Sequence, residues 1–408
     1  MTKTPELPSL KGQPWLMDPQ LQGLLRALGR DKARIVGGAV RNALLGEVVE
    51  DVDIATAWPP QEAMRLAKEA GFAVHPVALD HGSVIVSRRG RAFEVTTLRR
   101  DVETDGRHAK VAFTADWAAD AARRDFTMNA LYADAAGHVF DPLGGYGDLM
   151  ARRVRFIGDA RARIGEDYLR ILRFFRFWAR YGADAPDAEA LAACEAERAG
   201  LGRISRERIR AEISRLLVAP RAVEAVLFMA GTGVDGQVFP AACEGDRMAL
   251  ARMALDDERF GLAADWLLRL CALCGPGEQL RDAFRLSRAE SRVVAQLGAL
   301  AVPGDGNWRA FIYRHGNDAA CGAARLAHAR GALGDADFAA LVKLAKEWTA
   351  PVFPLRGTDA LAAGVAPGAR VGQILRKVEE RWLAQGFVPE GREGLLALLA
   401  RVIEEEGA

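Results

Sequence analysis

The spacing of apolar residues changes character once along this 408-residue chain, and that change constrains the fold more than any other feature. In the first third, short runs with the two-residue alternation of β-strands are mixed with stretches at helical spacing. Beyond roughly Asp148 the alternation largely stops, and long stretches rich in Ala, Leu and Arg run at helical spacing to the C-terminus. The implied class is α+β, with a small mixed sheet first and an all-helical remainder. A chain of this length exceeds what one hydrophobic core supports, so two or more domains are expected.

Individual elements can be placed by the same spacing. Leu21 to Leu28 has helical spacing, and Ala33 to Val36 is a β-like run that stops at Gly37-Gly38. A helix fits Ala39 to Leu45. Asp51-Val52-Asp53-Ile54-Ala55-Thr56 alternates as a half-buried strand does, which puts Asp51 and Asp53 on one face. Pro59-Pro60 opens a helix over Gln61 to Ala70, ended by Gly71. Ser83 to Ser87 and Ala92 to Leu98 read as a hairpin turned at Arg88-Arg89-Gly90-Arg91. Gly231-Thr232-Gly233, Pro303 to Gly306 and Gly364 to Gly368 are the clearest breaks in the helical part.

Composition narrows the class. Lys and Arg total 55 against 54 Asp and Glu, so there is no chain-wide basic coat and any affinity for nucleic acid must come from local clustering. No apolar stretch approaches the ~20 residues of a membrane span, and the N-terminus lacks a basic patch followed by an apolar run, so a cytoplasmic protein off the membrane is expected. Five cysteines are odd in number and too few for a disulfide framework. Cys271 and Cys274 form a lone CxxC in an apolar helical run, with no second CxxC or His pair to complete a zinc site. Two buried thiols on one helix face are expected.

Three segments carry chemistry. In Gly37-Gly38-Ala39-Val40-Arg41 followed by Asp51-Val52-Asp53, the glycines let backbone N–H groups approach a phosphate at a helix N-terminus, and Arg41 can clamp phosphate oxygens. Two carboxylates at i and i+2 on a strand converge on one hard cation, with Glu94 on the hairpin as a third. The plainer reading is a tight turn beside an exposed Asp pair. In Arg123-Arg124-Asp125-Phe126-Thr127-Met128-Asn129-Ala130-Leu131, the basic start can face a triphosphate, and Asn129 offers an amide to sugar or base. The plainer reading is an element edge with a solvated charge pair.

The third segment is a helix over Glu166 to Trp178. Ile171, Phe174, Phe175 and Trp178 form one apolar face, and Arg170, Arg173 and Arg176 step along another side. Flanking arginines make this a local basic tract suited to phosphates. Asp167 and Arg170 can do more: a carboxylate beside a guanidinium complements the pairing edges of cytosine and adenine and mismatches those of uracil and guanine. The plainer reading is an i to i+3 ion pair worth ~0.2–0.5 kcal/mol.

Taken in order, these segments, together with Ile204-Ser205-Arg206-Glu207-Arg208-Ile209, resemble the motifs of the class II tRNA nucleotidyltransferases. The resemblance covers roughly residues 33 to 215. Thr104-Asp105-Gly106-Arg107-His108 resembles the family's flexible loop. Gly364-Val365-Ala366-Pro367-Gly368 and Val371-Gly372-Gln373-Ile374-Leu375 resemble its tail less specifically. The resemblance implies a polymerase-β-like nucleotidyltransferase head over residues 1–148, including an N-terminal helix at 15–30, then a helical neck over 149–220, body over 221–302 and tail over 303–408. Asp51 and Asp53 would bind Mg2+, with Glu94 as the third catalytic carboxylate. Gly37, Gly38, Arg41, Arg124 and Asn129 would hold the nucleotide's phosphates and sugar. Asp167, Arg170, Arg173 and Arg176 would form the base-reading set.

The activity so implied is template-independent addition of C, C and A to the 3′ end of tRNA, from CTP and ATP with release of pyrophosphate, the acceptor arm being the partner. Asn42 departs from the pattern: the family usually has aspartate there, and an amide keeps a hydrogen bond but loses the charge. No His-Asp pair of the kind found in relatives with an extra phosphohydrolase domain is present, so no such second activity is expected. Two alternatives stay open, a bacterial poly(A) polymerase and a non-catalytic RNA-binding module. Residues 99–115 bear on the first, because complete CCA enzymes keep this loop to switch from C to A; the three carboxylates bear on the second. The sequence does not fix the oligomeric state, a monomer being favoured.

Overall fold

The structure, a computed structural model, describes residues 7–104, 109–241, 243, 245–304 and 306–407, those at 101–104 and 109–111 by backbone alone. The chain divides into two compact units, Met1–Ala241 with Ala283–Arg285, and Ala242–Asp282 with Leu286–Ala408.

The first unit opens with α1 (Pro19–Leu28), capped by the Asp18 carboxylate, which accepts the Gln20 and Leu21 N–H groups at 2.7 and 3.3 Å. Next along the chain are β1 (Ala33–Val36), α2 (Gly38–Leu44), β2 (Asp53–Thr56), α3 (Pro60–Glu69), β3 (Ala73–Ala78), β4 (Ser83–Arg88) and β5 (Arg91–Thr97). After these come β6 (Arg99–Thr104), β7 (Ala109–Phe113), α4 (Trp117–Ala122), β8 (Tyr132–Ala133) and β9 (Val139–Phe140). Seven strands form one sheet in the order β3-β4-β5-β2-β1-β8-β9. It is mixed: β2 runs parallel to β5 and antiparallel to β1.

The central place of β2 corrects the expected half-buried strand. It begins only at Asp53, and Ile54, Ala55 and Thr56 are all buried, because both faces of this interior strand are covered. Ala55 joins Val36, Leu98, Ala121 and Tyr132 in one cluster. Strand β3 escaped the sequence reading because it is largely exposed and carries Pro76, so it shows no alternation. Residues 99–115 are not simply a loop. Strands β6 and β7 pair as a separate antiparallel ribbon, with Arg99 opposite Phe113 and Thr104 opposite Ala109. Asp105, Gly106, Arg107 and His108 lie outside the described residues.

Helices α5 (Gly145–Met150), α6 (Ala160–Glu166), α7 (Leu169–Tyr181), α8 (Ala188–Glu197), α9 (Arg206–Leu217), α10 (Ala222–Gly231) and α11 (Asp235–Val238) complete this unit. The single helix expected over Glu166 to Trp178 is broken. Asp167 is extended at φ −154°, and α7 starts after Tyr168. The tyrosine ring fixes the break by packing where Gly200 has no side chain; a Cβ there would come within 2.0 Å of it. Within α7 the expected apolar face holds, since Ile171, Phe174, Phe175 and Trp178 are all buried. Phe174 and Phe177 pack on Phe126, with ring centroids 6.4 and 5.2 Å apart.

From Arg247 onward every regular element is a helix: α12 (Arg247–Arg259), α13 (Trp266–Cys274), α14 (Gln279–Phe284), α15 (Arg288–Ala299), α16 (Trp308–His315), α17 (Asn317–Ala329), α18 (Asp335–Glu347), α19 (Gly357–Ala362), α20 (Ala369–Ala384) and α21 (Gly391–Glu405). The second unit has one core around Ile312, Ala324, Phe338 and Leu341 and another around Ile374, Trp382, Leu395 and Leu399. The CxxC reading needs correction. Cys274 forms a disulfide with Cys243, 31 residues earlier, and only Cys271 remains a buried free thiol on α13. Among the described residues no helix is long and apolar enough to cross a membrane.

Candidate active site

The site begins at the end of β1. Gly37 takes φ +69° at the N-cap of α2, a conformation that favours glycine, and a Cβ there would lie 3.6 Å from the Asn129 carbonyl oxygen and 3.8 Å from Arg124 Nη1. This turn sets α2 beside the start of β2. Asp53 is the first residue of β2, directly opposite Val36 on β1 and Glu94 on β5. Asp51 precedes the strand by two residues. Both aspartates line a cavity of about 550 Å³ together with Gly38, Arg41, Asn42 and Tyr181.

Electrostatically this edge is short of positive charge. The Asp53 pKa is raised, first by the desolvation of its crowded carboxyl and then by Glu94, with Asp51 adding to the rise and Arg124 opposing it. The three carboxylates have not closed into one group. Glu94 leans along its strand toward the Thr96 hydroxyl at 3.5 Å, and among the described residues no three His, Cys, Asp or Glu side chains are gathered to hold a metal ion. The donor set itself is right for a hard cation: carboxylate oxygens on adjacent strands, with a raised pKa that a cation would relieve.

Arg41 is buried, and its partners are neutral. Its Nη1 donates to Asn129 Oδ1 at 2.6 Å, Nη2 to the Tyr181 hydroxyl at 2.7 Å, and Nε and Nη2 to Asn42 Oδ1 at 3.1 and 2.9 Å. Asn42 thus keeps the hydrogen bonds that its sequence position implied, without a charge. The other end of the Asn129 amide donates to Asp125 at 3.0 Å, which leaves one of its two N–H groups. Burial lowers the Arg41 pKa, opposed chiefly by Tyr181.

The arginines of α7, by contrast, are each paired with a carboxylate. Arg173 binds Asp125 at 2.5 Å, and Arg176 binds Glu212 of α9. Burial works to raise the Asp125 pKa, but Arg173 and hydrogen bonds from Asn129 and the Phe126 N–H outweigh it and hold the carboxyl down to about 2. Arg124 binds Asp120 at 3.0 Å and the Tyr132 hydroxyl at 3.3 Å, and Asp120 is held low because Arg124 and Arg123 outweigh its burial.

Asp167 and Arg170 are joined only through the backbone, the Arg170 N–H donating to the Asp167 carbonyl oxygen at 2.9 Å, and their side chains do not pair. Asp167 Oδ2 accepts from Arg208 Nη2 at 2.7 Å while Oδ1 accepts the Leu169 N–H at 3.1 Å. Arg170 binds Glu166 and the Arg163 carbonyl oxygen, the latter at 2.7 Å. The expected i to i+3 pair is absent because the helix breaks between them.

The structure therefore joins Arg41, Asn129, Arg173 and Arg176 in one network and sets Asp51, Asp53 and Gly38 around one cavity. The sequence reading missed most of the members that bind the arginines, Asp120, Tyr132, Tyr181 and Glu212, with Asp125 and Glu166 noted only as neighbours. Some signal existed. Glu212 lies one helical turn beyond Arg208 and Tyr181 one turn beyond Trp178, so both fall on faces already marked by the motifs.

Residues 33–155 match the model of the "Poly A polymerase head domain", and residues 185–245 match that of the "Probable RNA and SrmB- binding site of polymerase A". A mouse protein named CCA tRNA nucleotidyltransferase 1, mitochondrial, is 32% identical over 404 residues, covering 93% of this chain and 91% of its own. The chain belongs to the CCA-adding tRNA nucleotidyltransferases. The CCA-adding enzyme of Geobacillus thermodenitrificans is 36% identical over 308 residues, covering 71% of this chain and 72% of its own. The crystal structure of the Bacillus stearothermophilus CCA-adding enzyme in complex with CTP superposes with a TM-score of 0.73 at 28% identity, covering 95% of this chain and 97% of that one. In a nucleotidyltransferase the carboxylate edge of β2 and the arginine network of α7 belong to one protein for a physical reason: a triphosphate needs both a cation and guanidinium groups around its charge.

Proposed function

We propose that this protein adds C, C and A to the 3′ end of tRNA without a nucleic-acid template, using CTP and ATP. The observation that carries the reading is Asp53 in register with Glu94 on adjacent parallel strands, beside a cavity that Asp51, Gly38 and Arg41 also line. Asp51 and Asp53 would hold magnesium, with Glu94 turning from Thr96 to complete the set. When bound there, the metal lowers the pKa of the attacking 3′-hydroxyl and neutralises charge on the departing pyrophosphate. Gly37 lets the backbone approach the phosphates closely, and Arg41 and Arg124 add positive charge over them.

Asp167 and Arg170 would read the base. Their edge fits cytosine and adenine, and both side chains would exchange their present partners, Arg208 and Glu166, for the nucleotide. The helices beyond Asp148, as neck, body and tail, would take the acceptor arm.

The deciding experiment supplies the purified protein with magnesium, CTP, ATP and tRNA lacking its 3′ end and sequences the product. CCA-ended tRNA is expected. A long A tract would replace the reading with a poly(A) polymerase, and no extension would replace it with an RNA-binding module.

A further inference from the structure

The Arg41 guanidinium is buried at 8% exposure, yet no carboxylate among the described residues accepts a hydrogen bond from it. A buried cation is ordinarily matched by an anion. Here three neutral oxygens do the holding, from Asn129, Asn42 and Tyr181. They engage four of its five N–H groups and leave one on Nη1. The Tyr181 ring also lies 4.3 Å from the guanidinium carbon and the Phe177 ring 5.2 Å.

The Tyr181 hydroxyl has a double role in this cradle. It accepts from Arg41 Nη2 at 2.7 Å and donates to Asn42 Oδ1 at 3.2 Å. Asn42 in turn donates to the Val48 carbonyl oxygen at 3.2 Å, which fixes which end of its amide faces the arginine. An amide oxygen at position 42 holds a guanidinium less strongly than a carboxylate would.

We propose that the Tyr181 hydroxyl is a positioning group for Arg41, supplying the third oxygen that a neutral residue at position 42 makes necessary. It keeps the guanidinium aimed into the cavity that Asp51 and Asp53 also line, where the incoming nucleotide's phosphate would meet it. Tyr181 reaches from the C-terminal end of α7, so it also ties the Gly-Gly turn and α2 to the helix that bears Arg173 and Arg176. The inference rests on the nucleotidyl-transfer reading above.

The test measures CTP and ATP incorporation into tRNA lacking its 3′ end for the wild type, Tyr181→Phe, and Tyr181→Phe combined with Asn42→Asp, with melting temperatures in parallel. If the wild type itself fails to extend tRNA, the function reading falls. Given an active wild type, Tyr181→Phe is expected to raise KM for both nucleotides on the order of 10-fold, the loss of one hydrogen bond to a charged group, with a smaller change in kcat. Adding Asn42→Asp is expected to restore most of that KM, because the charge strengthens the bonds that position 42 already accepts from Nε and Nη2 by more than the lost donation to the Val48 carbonyl oxygen costs. Unchanged KM in Tyr181→Phe, or a double variant no better than the single one, overturns the proposal. Should Tyr181→Phe melt too early for kinetics, the double variant decides alone: folded with near-wild-type KM supports the proposal, and unfolded overturns it by showing that the hydroxyl serves folding rather than the aim of Arg41.

Discussion

The carboxylate edge of β2 and the arginine row of α7 are both dense in charge, yet they are built in opposite ways. Along α7, Arg173 and Arg176 each have a carboxylate in contact, and Asp125 is held ionised down to about pH 2. Around Asp53 the pKa rises, first from desolvation and then from Glu94 and Asp51, with Arg124 opposing, and among the described residues no cation forms an ion pair with the group. The first region satisfies its own charges without a ligand. The second carries a deficit that only an added cation removes. On the proposed function the division is useful, because the paired network would position Arg41 and the nucleotide while the carboxylate edge would be left for the metal.

Substitutions on the two sides should therefore behave differently. Asp53→Asn is the most severe test: incorporation should fall by at least about 10²–10³-fold, while the melting temperature stays level or rises because a crowded carboxylate is gone. A large drop in melting temperature would erase the distinction. Arg173→Ala should do the reverse by leaving Asp125 buried without its partner. It should lower stability by about 3 kcal/mol in denaturant titrations, the lower end for a broken buried pair, since Arg173 keeps some contact with solvent. An unchanged denaturation midpoint would show that the network is not structural.

A pH series sharpens the same point. The folded pKa of Asp125 lies below its unfolded value of about 3.9, so its contribution is full above pH ~4 and is lost as pH falls from there toward about 2. The stability gap between wild type and Asp125→Asn should narrow across that window. The smallest effect belongs to a charge cluster outside both regions. Arg65 pairs with Glu62 and Glu69 on the exposed face of α3, and Arg65→Ala should leave the melting temperature where it was. A measurable drop would show that solvent-facing pairs count here as buried ones do.

Much of this site could be read from spacing. The β1 run ends at Gly37 because the next step needs a positive φ, and Asp53 and Glu94 fall where two β-like runs put them. The arginines of α7 sit on a face set by Ile171, Phe174, Phe175 and Trp178. Partnership, by contrast, resisted reading. Asp167 and Arg170 are three residues apart and look like a pair, but Tyr168 packed on Gly200 ends one helix and starts another between them. Arg208 and Glu166 then take the places each would have filled for the other.

By itself the sequence determined the sheet-then-helix plan, the Gly-Gly turn, the carboxylate spacing and the helical face of arginines, all of which are local and, apart from the turn, repeat every two or 3.6 residues. Only the tertiary structure decided that Glu94 stands opposite Asp53, that Tyr181 and Asn129 hold Arg41, and that Cys274 finds Cys243 rather than remaining a thiol beside Cys271. Those pairings join residues 31 to 140 positions apart. Local periodicity carries no information about which distant oxygen, thiol or carboxylate a side chain will meet; packing of the hydrophobic faces brings them together, and burial then fixes the partners because an unmatched polar group is costly.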